Sequence, residues 1–233
     1  MTYPQSPWSL NDLFPSHDGA EMKAAFVELD GMVSEFEALR PSLTADMPVE
    51  AFLHTIRKLE AIHHLALCIE SYANLAFAAN TQDQAVQTFL GTVEDRMAGL
   101  ENRVLFFSLW WKALDEAAAE HLLAGTGDYR YWLETLRQFR PHTLSEPEEK
   151  IINIKDVTGV KAINNLYDTI TNRYVFKVEV DGEVQELTRG ELMVYARHPD
   201  PDLRAAAYRE LYRVYGDDGN LLGQMYQALV RDW

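Results

Sequence analysis

The chain has one cysteine, Cys68, in 233 residues. An internal disulfide framework is therefore excluded. Cys68 lies in an apolar helical run, where a lone thiol reads as core and fits a reducing compartment. Cations are also scarce, with 21 Lys plus Arg against 36 Asp plus Glu and a formal net charge of −15. Binding nucleic-acid phosphates or an anionic membrane surface needs clustered cations, which this chain does not have. Long apolar runs are missing as well. The longest, residues 104–111, is broken by Ser108 and falls far short of the ~20 residues that cross a bilayer. The opening Met1-Thr-Tyr-Pro-Gln-Ser-Pro-Trp8 has neither the basic start nor the apolar stretch of a secretory signal. Together these absences point to a cytoplasmic protein with no nucleic-acid and no membrane partner.

What is present is helix-forming pattern, and the 47% hydrophobic content is ample for a core. An extended lead carries Trp8, Leu13 and Phe14 as anchors to the body. A first helix is expected over about 21–39, with Phe26, Leu29, Val33 and Phe36 on one face and Pro41 beyond its end. Pro48 suits the first turn of a second helix bearing Phe52, Ile56, Leu59, Ile62, Leu65, Ile69, Tyr72 and Phe77. Thr81 is the expected N-cap of a third helix reaching Leu114. Three long helices with short connections imply antiparallel neighbours, so residues 1–114 read as a long-helix bundle.

Residues 115–233 read as a second helical segment. Asp115 starts a helix that ends near Gly125-Thr-Gly127, and Asp128 is the expected cap of the next, with Tyr129, Trp132, Leu133, Leu136 and Phe139 inward. Pro141 stops it. Ser145-Glu-Pro-Glu148 is a capping box opening a helix with Ile151, Ile152 and Ile154. Gly159 permits a break before Ile163, Leu166, Tyr167 and Ile170. The period then changes to two, and Asp181-Gly182 turns a hairpin over about 174–187 that pairs Lys177 with Glu186 and Phe176 with Leu187. Thr188-Arg-Gly-Glu191 is a second capping box. Asp200-Pro201 opens a helix with Leu203, Tyr208, Leu211, Tyr212 and Tyr215. The fold class is mainly α, an antiparallel helical bundle with one inserted β-hairpin. A last stripe, Leu222, Met225, Tyr226, Leu229, Val230 and Trp233, runs to the final residue without a helix stop signal. That pattern leads us to expect the front part of something larger, with a partner surface for the stripe.

The stretches Asp128-Tyr-Arg-Tyr-Trp-Leu-Glu134 and Arg140-Pro-His-Thr-Leu-Ser-Glu-Pro-Glu-Glu-Lys-Ile-Ile-Asn153 resemble the N-terminal half of the oligoendopeptidase F branch of the thimet-oligopeptidase-like zinc peptidases. Trp8-Ser-Leu-Asn-Asp-Leu-Phe14, Tyr72-Ala-Asn-Leu-Ala-Phe77, Asp156-Val-Thr-Gly159, Leu166-Tyr-Asp-Thr-Ile-Thr-Asn-Arg-Tyr174, Leu187-Thr-Arg189 and the segment from Asp200 to Glu210 are similar to the same family in the same order. The resemblance implies a zinc-dependent oligoendopeptidase of short peptides, its N-terminal helices forming one wall of a substrate channel. In that family zinc sits on a His-Glu-x-x-His helix. Here His17, His54, His63, His64, His121, His142 and His198 are followed by Asp, Thr, His, Leu, Leu, Thr and Pro, and the inverted motif is also missing. No catalytic or metal residue is therefore assigned, and substrate-binding residues stay open. Zinc is expected in the full-length family member and none on this chain, with a C-terminal catalytic domain as partner. A stand-alone helical interaction module without catalytic activity is the competing reading.

Other groupings have ordinary explanations. Glu60, His63 and His64 could suggest a carboxylate-bridged metal bundle, but a second Glu-x-x-His is missing and a polar helix strip explains them. Because His63 and His64 cannot face the same way, one is expected to be solvated. Residues 104–111 are apolar nearly all round and read as core, with Trp110 or Trp111 free to face a second layer. Glu146, Glu148 and Glu149 compensate a helix dipole, and Arg137, Arg140 and His142 are expected to pair with that acidic turn. The hairpin could accept an added peptide strand, although structural reinforcement is its default role. Tyr195, Tyr208, Tyr212, Tyr215 and Tyr226 read as residues spanning core and water, some able to line a channel wall.

Overall fold

A computed structural model describes residues 9–232. Trp8 and Trp233, expected as an anchor and as the end of a stripe, lie outside the described residues. Two compact units appear, Met1–Val157 and Thr158–Trp233. That division falls later than the 114/115 boundary expected from the sequence.

The first unit holds α1 (Ala20–Glu37), α2 (Val49–Ala79), α3 (Gln84–Ala113), α4 (Glu116–Leu123), α5 (Arg130–Gln138) and α6 (Glu146–Asp156). Helices α1 to α3 pack on one another around Leu29, Val33, Phe36, Phe52, Ile56 and Trp111. Residues 104–111 are core as expected. Phe107 and Trp111 stack on Phe52 with ring centroids 6.2 Å and 5.1 Å away. Trp110 is half-buried, and Cys68 is half-buried at the edge of the same cluster. Pro48 stands one residue before the helix, as the N-cap of α2.

The cap of α3 departs from expectation. Asp83, not Thr81, accepts from the backbone N–H groups of Ala85 and Val86 at 2.9 Å and 3.3 Å. Thr81 belongs to the preceding turn, where its carbonyl accepts from the Gln87 side chain. Asp115 caps α4 as expected, accepting from Ala118 N–H at 2.8 Å. Asp128 makes no side-chain cap, because a 3-10 turn over Gly127–Tyr129 intervenes before α5. Of the α5 residues expected inward, Leu133 is fully buried, whereas Trp132 and Phe139 are exposed.

Helix α6 also turns its isoleucines the other way. Its contact with α3 is polar: Asn153 donates to the Asn102 side chain at 2.8 Å, and Asn102 donates to Lys150 O at 3.3 Å. Amide pairing on that side leaves Ile151 and Ile152 facing solvent.

After α6 the helix does not break at Gly159 but passes through a π-helical turn, Val157–Lys161. The second unit holds α7 (Ala162–Thr171), β1 (Phe176–Val180), β2 (Glu183–Leu187), α8 (Arg189–Tyr195), α9 (Pro201–Asp217) and α10 (Gly219–Asp232). The hairpin has the expected register, Phe176 opposite Leu187 and Lys177 opposite Glu186. Asp181 and Gly182 adopt φ of 53° and 83°, the left-handed pair of a type I′ turn. Phe176, Val178 and Leu187 fill this unit's core together with Leu192, Ala207 and Val214. Both expected caps hold: Thr188 N–H donates to Glu191 at 2.7 Å, and Asp200 accepts from Asp202 N–H at 2.9 Å. Along α10, Met225 is buried and Leu222 and Leu229 are half-buried, while Tyr226 and Val230 of the same stripe are exposed. Among the described residues no helix is long and apolar enough to cross a membrane.

Within the first unit α3 is bonded to α5 through a buried indole. The buried Trp111 indole N–H donates to Leu133 O at 2.9 Å. Trp111→Phe removes the donor and part of the indole's volume from a fully buried site, so a loss of about 1–3 kcal/mol in urea unfolding is expected. An unchanged midpoint would deny the bond its role.

Candidate functional site

The sequence-predicted group on α2 lies at the mouth of a cleft of about 350 Å³ between α2 and the start of α5. Ile56 and Leu59 form its buried floor, and Leu67 and Trp132 its apolar rim. Glu60, His63 and His64 supply the polar edge. Both histidines are solvent-exposed, one as expected and the other as well, and both line the cleft although they were expected to face different ways. Adjacent positions on a helix lie about 100° apart, so a wide cleft can take both.

Tyr129 joins the group from the turn before α5. Its hydroxyl donates to Glu60 Oε2 at 2.6 Å. That hydrogen bond to Glu60 and desolvation push the Tyr129 phenol above its ordinary value, while nearby Arg57 opposes the rise. Among the described residues, no cluster of three or more His, Cys, Asp or Glu is placed to hold a metal ion.

The acidic turn of α6 is fully used within the fold. Glu146 accepts from Arg40 and from Lys150 at 2.7 Å. Glu148 accepts from Ser145 N–H at 2.9 Å, completing the capping box, and Glu149 accepts from Leu144 N–H at 2.8 Å. Arg137 and Arg140 do not pair with this turn, contrary to expectation. Arg137 instead donates to Trp111 O and Leu114 O, both at 2.9 Å, and to Glu116 at 2.8 Å. Carbonyls left over at the C-terminus of α3 draw it there, as helix ends draw cations generally. Arg140 also approaches Glu116, at 3.7 Å.

In the second unit, Glu210 accepts from the Lys177 backbone N–H at 2.9 Å, so an added strand would meet an occupied group on that edge of β1. Tyr174, which was not among the candidates, donates to Asp218 at 2.7 Å, and burial and that bond push its phenol up. Burial likewise raises Tyr215. Its hydroxyl is enclosed, and the neighbouring Tyr167 side chain adds to the rise. Tyr195 donates to Gln185 at 2.8 Å. Tyr208, Tyr212 and Tyr226 are exposed.

Three comparisons bear on this architecture. A family model described as Oligopeptidase F matches residues 110–176. Oligopeptidase PepF of Bacillus subtilis is 20% identical over 239 residues, covering 97% of this chain and 34% of its own length. The crystal structure of oligoendopeptidase-F from Enterococcus faecium matches with a TM-score of 0.76 at 20% identity, covering 91% of this chain and 41% of that one. At that identity the structural match establishes the fold. In sequence and fold together, the chain resembles an oligoendopeptidase F-type N-terminal portion. It spans well under half the length of either relative.

The α6 turn gives a pH dependence. Hydrogen bonds from Arg40 and Lys150 bring the Glu146 carboxyl from 4.5 down to about 2. Because the folded value lies below the unfolded one, Glu146 stabilises the fold above pH 4.5, and this is lost as pH falls towards 2. Arg40 is half exposed, so solvent screening limits the effect to about 1 kcal/mol. Glu146→Gln is expected to flatten that part of a stability-versus-pH curve. A mutant curve parallel to the wild type would contradict the assignment.

Proposed function

We propose that this chain, similar in sequence and fold to the oligoendopeptidase F-type peptidases, is the N-terminal, channel-wall portion of a zinc-dependent oligoendopeptidase that hydrolyses short peptides in the cytoplasm. In this reading zinc and the catalytic carboxylate reside in a C-terminal catalytic domain of the same polypeptide. The present chain limits the size of what can reach them.

The observation that carries the proposal is the sequence similarity over 97% of the chain. It is joined by a side-chain inventory unsuited to the chemistry. A catalytic zinc takes three protein ligands and keeps one position open. Among the described residues no three His, Cys, Asp or Glu side chains are placed to hold it, so the residues present do not fit the ion. No step of hydrolysis is assigned to this chain. Its contribution is shape, supplied by long helices packed on a rigid aromatic core.

Apolar side chains turned to solvent support a partner within the polypeptide. Ile151 and Ile152 stand out from α6 in the first unit, and Tyr226 and Val230 from α10 in the second. Grouped exposed apolar residues of this kind mark interaction surfaces. The same residues would serve a stand-alone interaction module. The two readings separate on whether the reading frame continues past Trp233 into a His-Glu-x-x-His helix.

Division of labour predicts an inert fragment. The purified 233-residue chain, assayed by metal analysis and with a quenched fluorescent short peptide, is expected to carry no stoichiometric zinc and to cleave nothing. Bound zinc together with turnover would overturn the proposal.

A further inference from the structure

The cleft between α2 and α5 has an apolar floor, an apolar rim in water and a carboxylate at its mouth. Leu67 is 62% exposed and Trp132 36% exposed, side by side with the buried Ile56 and Leu59. Glu60 Oε2 is fixed by the Tyr129 hydroxyl, and its other carboxylate oxygen makes no hydrogen bond within the described residues. The bond from Tyr129 thus holds in place a carboxylate that lines the cleft.

We propose that this cleft binds the free N-terminus of a peptide whose first side chain is large and apolar. The α-ammonium of such a peptide would donate to Glu60, forming a charge-assisted hydrogen bond. Its side chain would cover Leu59, Leu67 and the Trp132 face. The indole and the Tyr129 ring add attraction for a cation close to their faces. His63 and His64 at the same edge can donate to the first peptide carbonyl. Charge complementarity selects this occupant. A ligand carboxylate would stand against Glu60 in a chain of net charge −15. A Lys or Arg side chain would lose hydration over the aliphatic floor. Binding at this cleft does not depend on the peptidase reading, since it requires only the residues of this chain.

The test is titration of the 233-residue chain with Leu-Gly-Gly and with its N-acetylated form, followed at the Trp132 indole N–H resonance. That resonance is assigned by its loss in Trp132→Phe. Leu-Gly-Gly is expected to shift it, and acetylation to weaken binding by roughly tenfold, the worth of one charge-assisted bond. Glu60→Gln should remove the difference between the two peptides. Leu67→Ala should weaken both equally, and because Leu67 is so exposed, thermal melting should not change. Equal binding of the two peptides, or no shift at Trp132 at millimolar peptide, would overturn the proposal.

Discussion

The first unit depends on how α3 ends. Its last turn is bound from the side by α5: the Trp111 indole N–H reaches Leu133 O, and Arg137 reaches back to Trp111 O and Leu114 O. The two Arg137 bonds meet carbonyls that the C-terminus of α3 leaves unsatisfied. The Arg137 guanidinium also lies 5.5 Å from the Trp111 ring centroid, so cation and indole support each other. With α5 fixed in this way, the turn before it brings Tyr129 to Glu60, 69 residues earlier in the chain. The cleft therefore follows from an interaction on the far side of α5.

Scarcity of cations makes each arginine structural. Arg103 alone serves Glu37, Asp30 and Ser34 of α1. Arg40 joins Glu146 across the first unit, and Arg130 bridges Glu120 and Glu134. Such pairs are worth little singly where exposed, but they fix which helix faces which. Arg137 and Arg140 look, in sequence, like partners for the neighbouring acidic turn. Unsatisfied carbonyls at the end of α3 compete for Arg137 and win, because Arg137 is almost fully enclosed there, its side chain 9% exposed.

Local chemistry was legible in the sequence, and tertiary choice was not. The hairpin register follows from a two-residue turn and strict alternation, so Phe176 and Leu187 could be paired from the sequence alone. The caps at Asp115, Ser145, Thr188 and Asp200 rest on bonds two or three residues long. Thr81 failed as a cap because Asp83, also a good capping residue, stands two positions later. Ile151 and Ile152 were read as inward because apolar spacing gives a stripe but not its direction. The amide pair Asn102–Asn153 sets that direction, and no local pattern reveals a pair so far apart in sequence. At the cleft, Glu60, His63 and His64 could be grouped from helical spacing. Tyr129 and Trp132 could not, since they arrive from another element.

Helices α9 and α10 of the second unit turn large side chains to solvent. On α9 the buried positions include the small Ala207, while Tyr208 and Tyr212 lie outside with rings stacked 6.5 Å apart. On α10, Met225 is enclosed whereas Tyr226 and Val230, on the adjoining strip of the same helix, are bare. The inward strips of both helices are occupied by Ala207, Val214 and Met225, so the tyrosines and Val230 are left on the outward faces. The tyrosine rings offer large area at low side-chain entropy, which is what an interface needs.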